Sequence, residues 1–193
     1  TLWNNKSTEH NLDCYAALTA YGELVGNPSY VSVAEDVRTW LQTSSAQGGA
    51  WNADESRFNV GEDGGGVAVT DKALDVYSWP PLVFEGYEGL LPKAEVAFGT
   101  QAVSGVTGIL IDGFDFGAER GKEPDKDAVW LEGTGQMALA YRRNGFPDTA
   151  EYYLQELEKA IFTFTESGAQ GLTYATNNGS GYGDPGFKMN SLH

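Results

Sequence analysis

Thr8-Glu9-His10-Asn11-Leu12-Asp13-Cys14-Tyr15 and Thr70-Asp71-Lys72-Ala73-Leu74-Asp75-Val76-Tyr77 agree at the threonine, the acid, the leucine, the aspartate and the tyrosine. A weaker third copy, Asp127-Ala128-Val129-Trp130-Leu131-Glu132, keeps the leucine-acid step. An internal repeat of this length marks a recurring supersecondary unit, and it sets the reading of everything around it.

Each copy predicts the start of a helix. Thr8 and Thr70 are good N-cap residues, and the acid that follows each complements the positive end of the helix dipole. The first helix is predicted over Glu9 to Val25, ending at Gly26-Asn27-Pro28. Tyr30, Val33, Ala34, Val37, Trp40 and Leu41 then recur at helical spacing until Ser44 to Gly49 breaks the pattern. In the second copy Trp79-Pro80-Pro81 interrupts the helix, because proline lacks an amide donor and restricts the residue before it. A resumption is predicted from Leu91 to Ser104. The third copy predicts a helix from Ala128 to Arg143, closed by Gly145, with Ala150, Tyr153, Leu154, Leu157, Ile161 and Phe164 marking its partner.

Between the helix pairs lie Gly48 to Gly66, Gly105 to Gly121 and Gly168 to Gly186, rich in glycine and aromatic residues. Ala50-Trp51-Asn52 with Phe58-Asn59-Val60, and Gly108 to Asp112 with Phe114-Asp115-Phe116, read as short strands or hairpins. The expected fold class is therefore all-α, a partial array of about three helical hairpins with Gly-rich loops and short β-hairpins. Residues 1–193 read as a single domain.

The 193 residues carry 12 Lys and Arg against 27 Asp and Glu, a formal charge of −15. That balance opposes a phosphate backbone, so nucleic acid is not an expected partner. No apolar run approaches the ~20 residues that cross a bilayer, so a soluble chain is expected and a membrane is not, with an extracytoplasmic setting favoured. Cys14 is the one cysteine, which excludes an intrachain disulfide.

The aligned Asp13, Asp75 and Glu132 fall near the starts of successive first helices, where a ring of helix pairs would make them converge. Glu9 precedes Asp13 by one turn on the same face. Paired acids are what glycosidic cleavage requires, one to protonate the leaving oxygen and one to act on water or on the sugar. Glu132, Glu9 and Asp13 are thus the catalytic candidates; each also fits a plain helix-dipole role. Glu132 stands out in Trp130-Leu131-Glu132-Gly133-Thr134-Gly135-Gln136, where two glycines cost helix stability and imply close packing or open access beside an acid. His10 and Asn11 offer donors for sugar hydroxyls. Trp51, Trp79, Trp130, Phe114, Tyr174 and Tyr182 offer flat rings that stack on sugar faces or pack the loops. No zinc spacing is present and no cofactor is expected. Calcium stays open, since Asp112-Gly113-Phe114-Asp115 and Glu62-Asp63-Gly64 carry oxygen ligands, though neither follows the twelve-residue calcium loop.

At these motifs the chain resembles an uncharacterised bacterial branch of the six-hairpin glycosidase-like superfamily, the (α/α)6 toroids. The resemblance rests on Ser7 to Asp13, Asp75 to Trp79, Val129 to Gln136, and Tyr174-Ala175-Thr176-Asn177 with Gly181-Tyr182-Gly183. It implies an α/α toroid whose inner-helix N-termini form a cleft for an oligosaccharide or polysaccharide. It also implies that Glu132 is the general acid and Glu9 or Asp13 the base, with His10, Asn11, Asp75, Trp79, Trp130, Gln136, Tyr174 and Asn177 binding substrate. A complete toroid has six helix pairs, so the chain is expected to be a C-terminal portion that meets a missing half or other domains of its parent. The competing expectations are a non-catalytic carbohydrate-binding module and a helical-repeat interaction module.

Overall fold

The computed structural model describes residues 5–118 and 121–177. The chain opens with β1 (Lys6–Ser7), α1 (Thr8–Val25) and α2 (Pro28–Gln42), followed by a 3-10 turn at Ser45–Gln47. Five short strands come next: β2 (Trp51–Asn52), β3 (Arg57–Phe58), β4 (Gly61–Glu62), β5 (Ala68–Val69) and β6 (Lys72–Ala73). Then follow α3 (Asp75–Ser78), α4 (Pro80–Val83), α5 (Leu90–Phe98), β7 (Gly99–Val103), β8 (Leu110–Phe114) and β9 (Gly117–Ala118). The described chain finishes with α6 (Leu131–Arg143), α7 (Pro147–Lys159), β10 (Phe162–Thr163) and β11 (Gln170–Gly171).

This mixture of helices and small antiparallel sheets overturns the expected all-α toroid. The Gly-rich segments do not merely connect helices; they pair with one another over long distances. β4 lies between β1 and β5, so the segment before α1 is locked to the loop that follows α2. β6 pairs with β9, in register Lys72 with Ala118 and Ala73 with Gly117. Strand β8 pairs backwards with β7 over five residues, not forwards with Phe114-Asp115-Phe116 as expected. The resumed helix accordingly stops at Phe98, and Gly99 to Val103 is strand, not helix. Only the β2–β3 hairpin stands where the pattern put it, in register Trp51 with Phe58.

Two helical hairpins are formed as the sequence predicts. α1 ends in Gly26 at φ 65°, a left-handed C-cap that only glycine takes without strain, and Asn27 caps α2 ahead of Pro28. α6 and α7 join across Asn144, Gly145 and Phe146. The helix α7 stops at Lys159, and Phe162 enters a strand. The middle pair collapses. Pro80 and Pro81 cut its first helix into two single turns, α3 and α4. All four residues of α3 are buried, and α3 packs against α1, α4, α5 and α6. Its neighbours in the core include Leu12, Leu74, Leu91, Phe98, Phe114 and Met137.

Candidate functional site

The starts of α1 and α6 flank α3, and all three helix starts are fixed by backbone bonds to a loop. At α1 the N-cap is Ser7, whose hydroxyl accepts from His10 N at 3.3 Å, and not Thr8. Thr8 is buried inside the first turn, where its N–H donates to Val60 O at 2.8 Å and its hydroxyl to Asn59 O at 2.6 Å. Thr70 is no cap either, because Lys72 and Ala73 are drawn into a strand; α3 begins at Asp75, after Leu74 N donates to Phe116 O at 2.9 Å. At α6, Trp130 N donates to Phe114 O at 2.8 Å and Leu131 N to Tyr174 O at 3.1 Å. The third helix therefore starts at Leu131, three residues later than the periodicity implies.

These anchors bring the predicted acids together. Asp75 is 7% exposed and its carboxyl is pushed up to about 7, first by burial and next by the negative charge of Glu9. A hydrogen bond with Gln136 opposes that shift, while Glu132 and Asp13 add to it. The half-buried Glu9 is also raised, by burial first; the His10 charge opposes this, and Asp13 and Glu132 reinforce it. Tyr174 is raised by burial and then by Glu132 and Asp75. The four acids and Tyr174 thus share one electrostatic neighbourhood, graded from buried Asp75 through half-buried Glu9 to exposed Asp13 and Glu132. One Asp75 oxygen, Oδ1, is sealed from solvent without a hydrogen-bond partner.

Ser78 belongs to this group and was not singled out from the sequence. Its hydroxyl donates to Gln136 Oε1 at 2.9 Å, which turns the Gln136 amide nitrogen towards Asp75. The available signal was its place three residues after Asp75, on the same helical face. Trp79, one turn after Asp75, is half-buried beside the core. Trp130 is 3% exposed and packs edge-on to Phe116, with ring centroids 4.8 Å apart. Its ring covers Gly133, where an added Cβ would meet Trp130 Cε3 at 2.2 Å; this close packing explains one of the two glycines around Glu132.

Other candidates serve elsewhere. The Asn11 amide donates to Ser7 O at 2.7 Å and closes the first turn of α1. His10 is exposed and lines a surface groove with Lys6 and Glu62. The Asn177 amide donates to Asp127 O at 2.9 Å, which ties it to the loop before α6. Phe114 is fully buried and offers no stacking face, whereas Trp51 packs on Phe58 and Tyr87, is half-buried, and lines a surface cavity with Tyr87 and Lys93, away from the acids. Tyr182 and Gly181 to Gly183 lie outside the described residues.

The two oxygen-rich motifs considered for calcium are engaged structurally. Asp112 accepts from Tyr152 at 2.6 Å, Glu62 pairs with Lys6 at 2.8 Å, and Asp63 accepts from the amides of Gly65 and Val67. Asp115, however, joins Asp125 and Asp127 in a triad whose ligand atoms lie within 4.8 Å of one another, an arrangement that could hold a metal ion. Asp115 is 2% exposed and is pushed up to about 7 by burial, against hydrogen bonds from Lys126 N and Phe116 N. The Asp-Lys-Asp alternation at 125–127 was the sequence signal for the other two members.

Among the described residues no helix is long and apolar enough to cross a membrane. No family model, no curated protein and no solved structure matches this chain. The chemistry of the site is accordingly read from its own residues.

Proposed function

We propose that the chain acts on carbohydrate as a glycoside hydrolase, with Glu9 and Glu132 as its paired carboxylates. One observation carries the reading: acids from three separate helix starts, Glu9, Asp75 and Glu132, act on one another's charge although they lie far apart in sequence. Burial favours the protonated form of Glu9, whereas Glu132 meets solvent. The electrostatics therefore support Glu9 as proton donor to the leaving oxygen and Glu132 as the group that acts on water or sugar. This reverses the roles that the resemblance implies. Asp75 is too buried to be the contact group and sets the charge beneath Glu9, held by Gln136.

The test is Glu132→Gln, which keeps shape and removes the charge. Glycan turnover should fall about 10²–10⁴-fold while glycan binding and melting temperature stay unchanged. Undiminished turnover in this variant and in Asp75→Asn would remove the hydrolase reading and leave a carbohydrate-binding module.

For the separate triad of Asp115, Asp125 and Asp127, we propose calcium, the divalent ion best matched to a set of carboxylate oxygens.

A further inference from the structure

We propose that the cavity between the β2–β3 hairpin and the start of α5 binds a small aryl carboxylate, a flat ring with one acid group on a short arm. The cavity is about 200 Å³ in volume. Drug-sized ligands take ~300–1,000 Å³, so this space suits a single ring and little more. None of Glu9, Asp13, Asp75 and Glu132 lines it, and the inference stands apart from the glycoside hydrolase reading.

The walls favour a flat apolar body. Trp51, from β2, and Tyr87, just ahead of α5, have ring centroids 5.5 Å apart and planes at 74°, which makes an aromatic corner. Buried Phe58 braces both, at 5.0 Å from Trp51 and 5.1 Å from Tyr87. Leu90 adds an apolar side chain that is 3% exposed. A third ring placed in this corner meets one partner face-on and the other edge-on, the arrangements that aromatic groups prefer.

The polar groups decide what the ring carries. Lys93 Nζ donates to Glu55 O and to Ser56 O, each at 2.9 Å, and these bonds fix the ammonium at the cavity wall with one of its three protons left over. Among the described residues Lys93 pairs with no carboxylate, although the chain has 27 acids. The Ser56 hydroxyl and the Trp51 indole N–H, which also line the cavity, have no hydrogen-bond partner among the described residues either. An ammonium and an indole N–H only donate, a hydroxyl can donate, and a carboxylate only accepts, so the donor set matches a carboxylate. No acid lines the cavity to oppose it, and the charge of neighbouring Glu55 is engaged by Arg57 Nε at 2.8 Å. A sugar ring would bring several hydroxyl donors and meet one side-chain acceptor without a partner, Ser56 Oγ. A cationic ring would meet the charge of Lys93.

The experiment is fluorine NMR of the whole chain carrying 5-fluorotryptophan, with the Trp51 signal identified as the one lost in Trp51→Phe. Phenylacetate should shift that signal saturably and bind about tenfold more tightly than phenylacetamide, which keeps the ring and lacks the charge. In Lys93→Gln the two probes should bind equally. The preference of the native chain between the two probes is itself a test, so the proposal stays falsifiable where Lys93→Gln fails to fold. Equal binding of phenylacetate and phenylacetamide to the native chain, or no shift of the Trp51 signal with either, would overturn it. So would a shift with methyl glucoside and none with phenylacetate, which would make the cavity a sugar subsite. Binding of N-acetylphenylalanine about tenfold more tightly than phenylacetate would replace the small acid by the C-terminal residue of a peptide. None of these outcomes touches the turnover of Glu132→Gln, so this inference and the hydrolase reading fail separately.

Discussion

Asp75→Asn should alter how stability depends on pH more than any other single change at the site. The native carboxyl titrates at about 7, against an ordinary value of 3.8. The folded state thus keeps a proton that the unfolded chain releases, so unfolding free energy falls as pH rises between those two values. Stability contributed by the protonated group is complete below about pH 4 and is lost by about pH 8. A gap of roughly three pH units corresponds to about 4 kcal/mol, and relaxation around the charged form reduces this to about 2–4 kcal/mol. Asparagine keeps the size of the side chain and its hydrogen bonding to Gln136, and it carries no charge to repel. Relative to the native chain, Asp75→Asn should therefore gain about 2–4 kcal/mol between pH 4 and pH 8. Asp115 titrates at about 7 as well, so a residual slope of the same sign should persist in the variant. Urea unfolding at a series of pH values reads this directly. Parallel pH curves for the two proteins would refute the placement of a sealed, repelled carboxyl at Asp75.

Gly133→Ala should lose about 1–3 kcal/mol, since the new methyl would sit 2.2 Å from Trp130 Cε3 and 2.7 Å from Leu74 Cδ2. Gly135→Ala should instead gain about 0.5–1 kcal/mol, because its nearest neighbour is Leu157 Cδ1 at 3.7 Å; paired urea melts of the two variants test the difference in sign. Glu95→Ala should cost about 2–4 kcal/mol, because Glu95 accepts from Tyr141 at 2.7 Å and from Tyr153 at 2.8 Å, and its loss leaves Tyr141 only a long contact to Leu91 O at 3.5 Å. Calcium should raise the melting temperature of the native chain and leave that of Asp115→Asn unmoved, as measured by scanning calorimetry against a chelator.

The helical hairpins were legible because their signals are local. Gly26-Asn27-Pro28 and Gly145 stop helices by backbone chemistry that needs no tertiary context, and the Trp79-Pro80-Pro81 break works the same way. Apart from the β2–β3 hairpin, the strand pairings were not legible, since most strands are two residues long and several exist through partners far away in the chain. Lys72 and Ala73 have nothing strand-like in their sequence; they extend because Gly117 and Ala118 lie alongside. The same pairing displaced Thr70 from its predicted cap. The mutual influence of Asp13, Asp75 and Glu132 followed from the repeat, which set all three near helix starts. Their burial did not, because whether a first-turn acid faces solvent depends on what packs over it. Asn11 and Asn177 each give an amide hydrogen to a backbone carbonyl, a use that depends on the folded loops and is not visible in the sequence pattern.

The single turn α3 has no solvent face, and this governs the kinetics of its acid as well as the equilibrium. A carboxyl on an ordinary surface helix trades its proton with bulk water at once. Asp75 has no such direct route through Oδ1, and with 7% of the residue exposed its proton leaves by a narrow opening or waits for the core around it to open. The interior acid then registers the pH outside more slowly than the exposed acids Asp13 and Glu132 do.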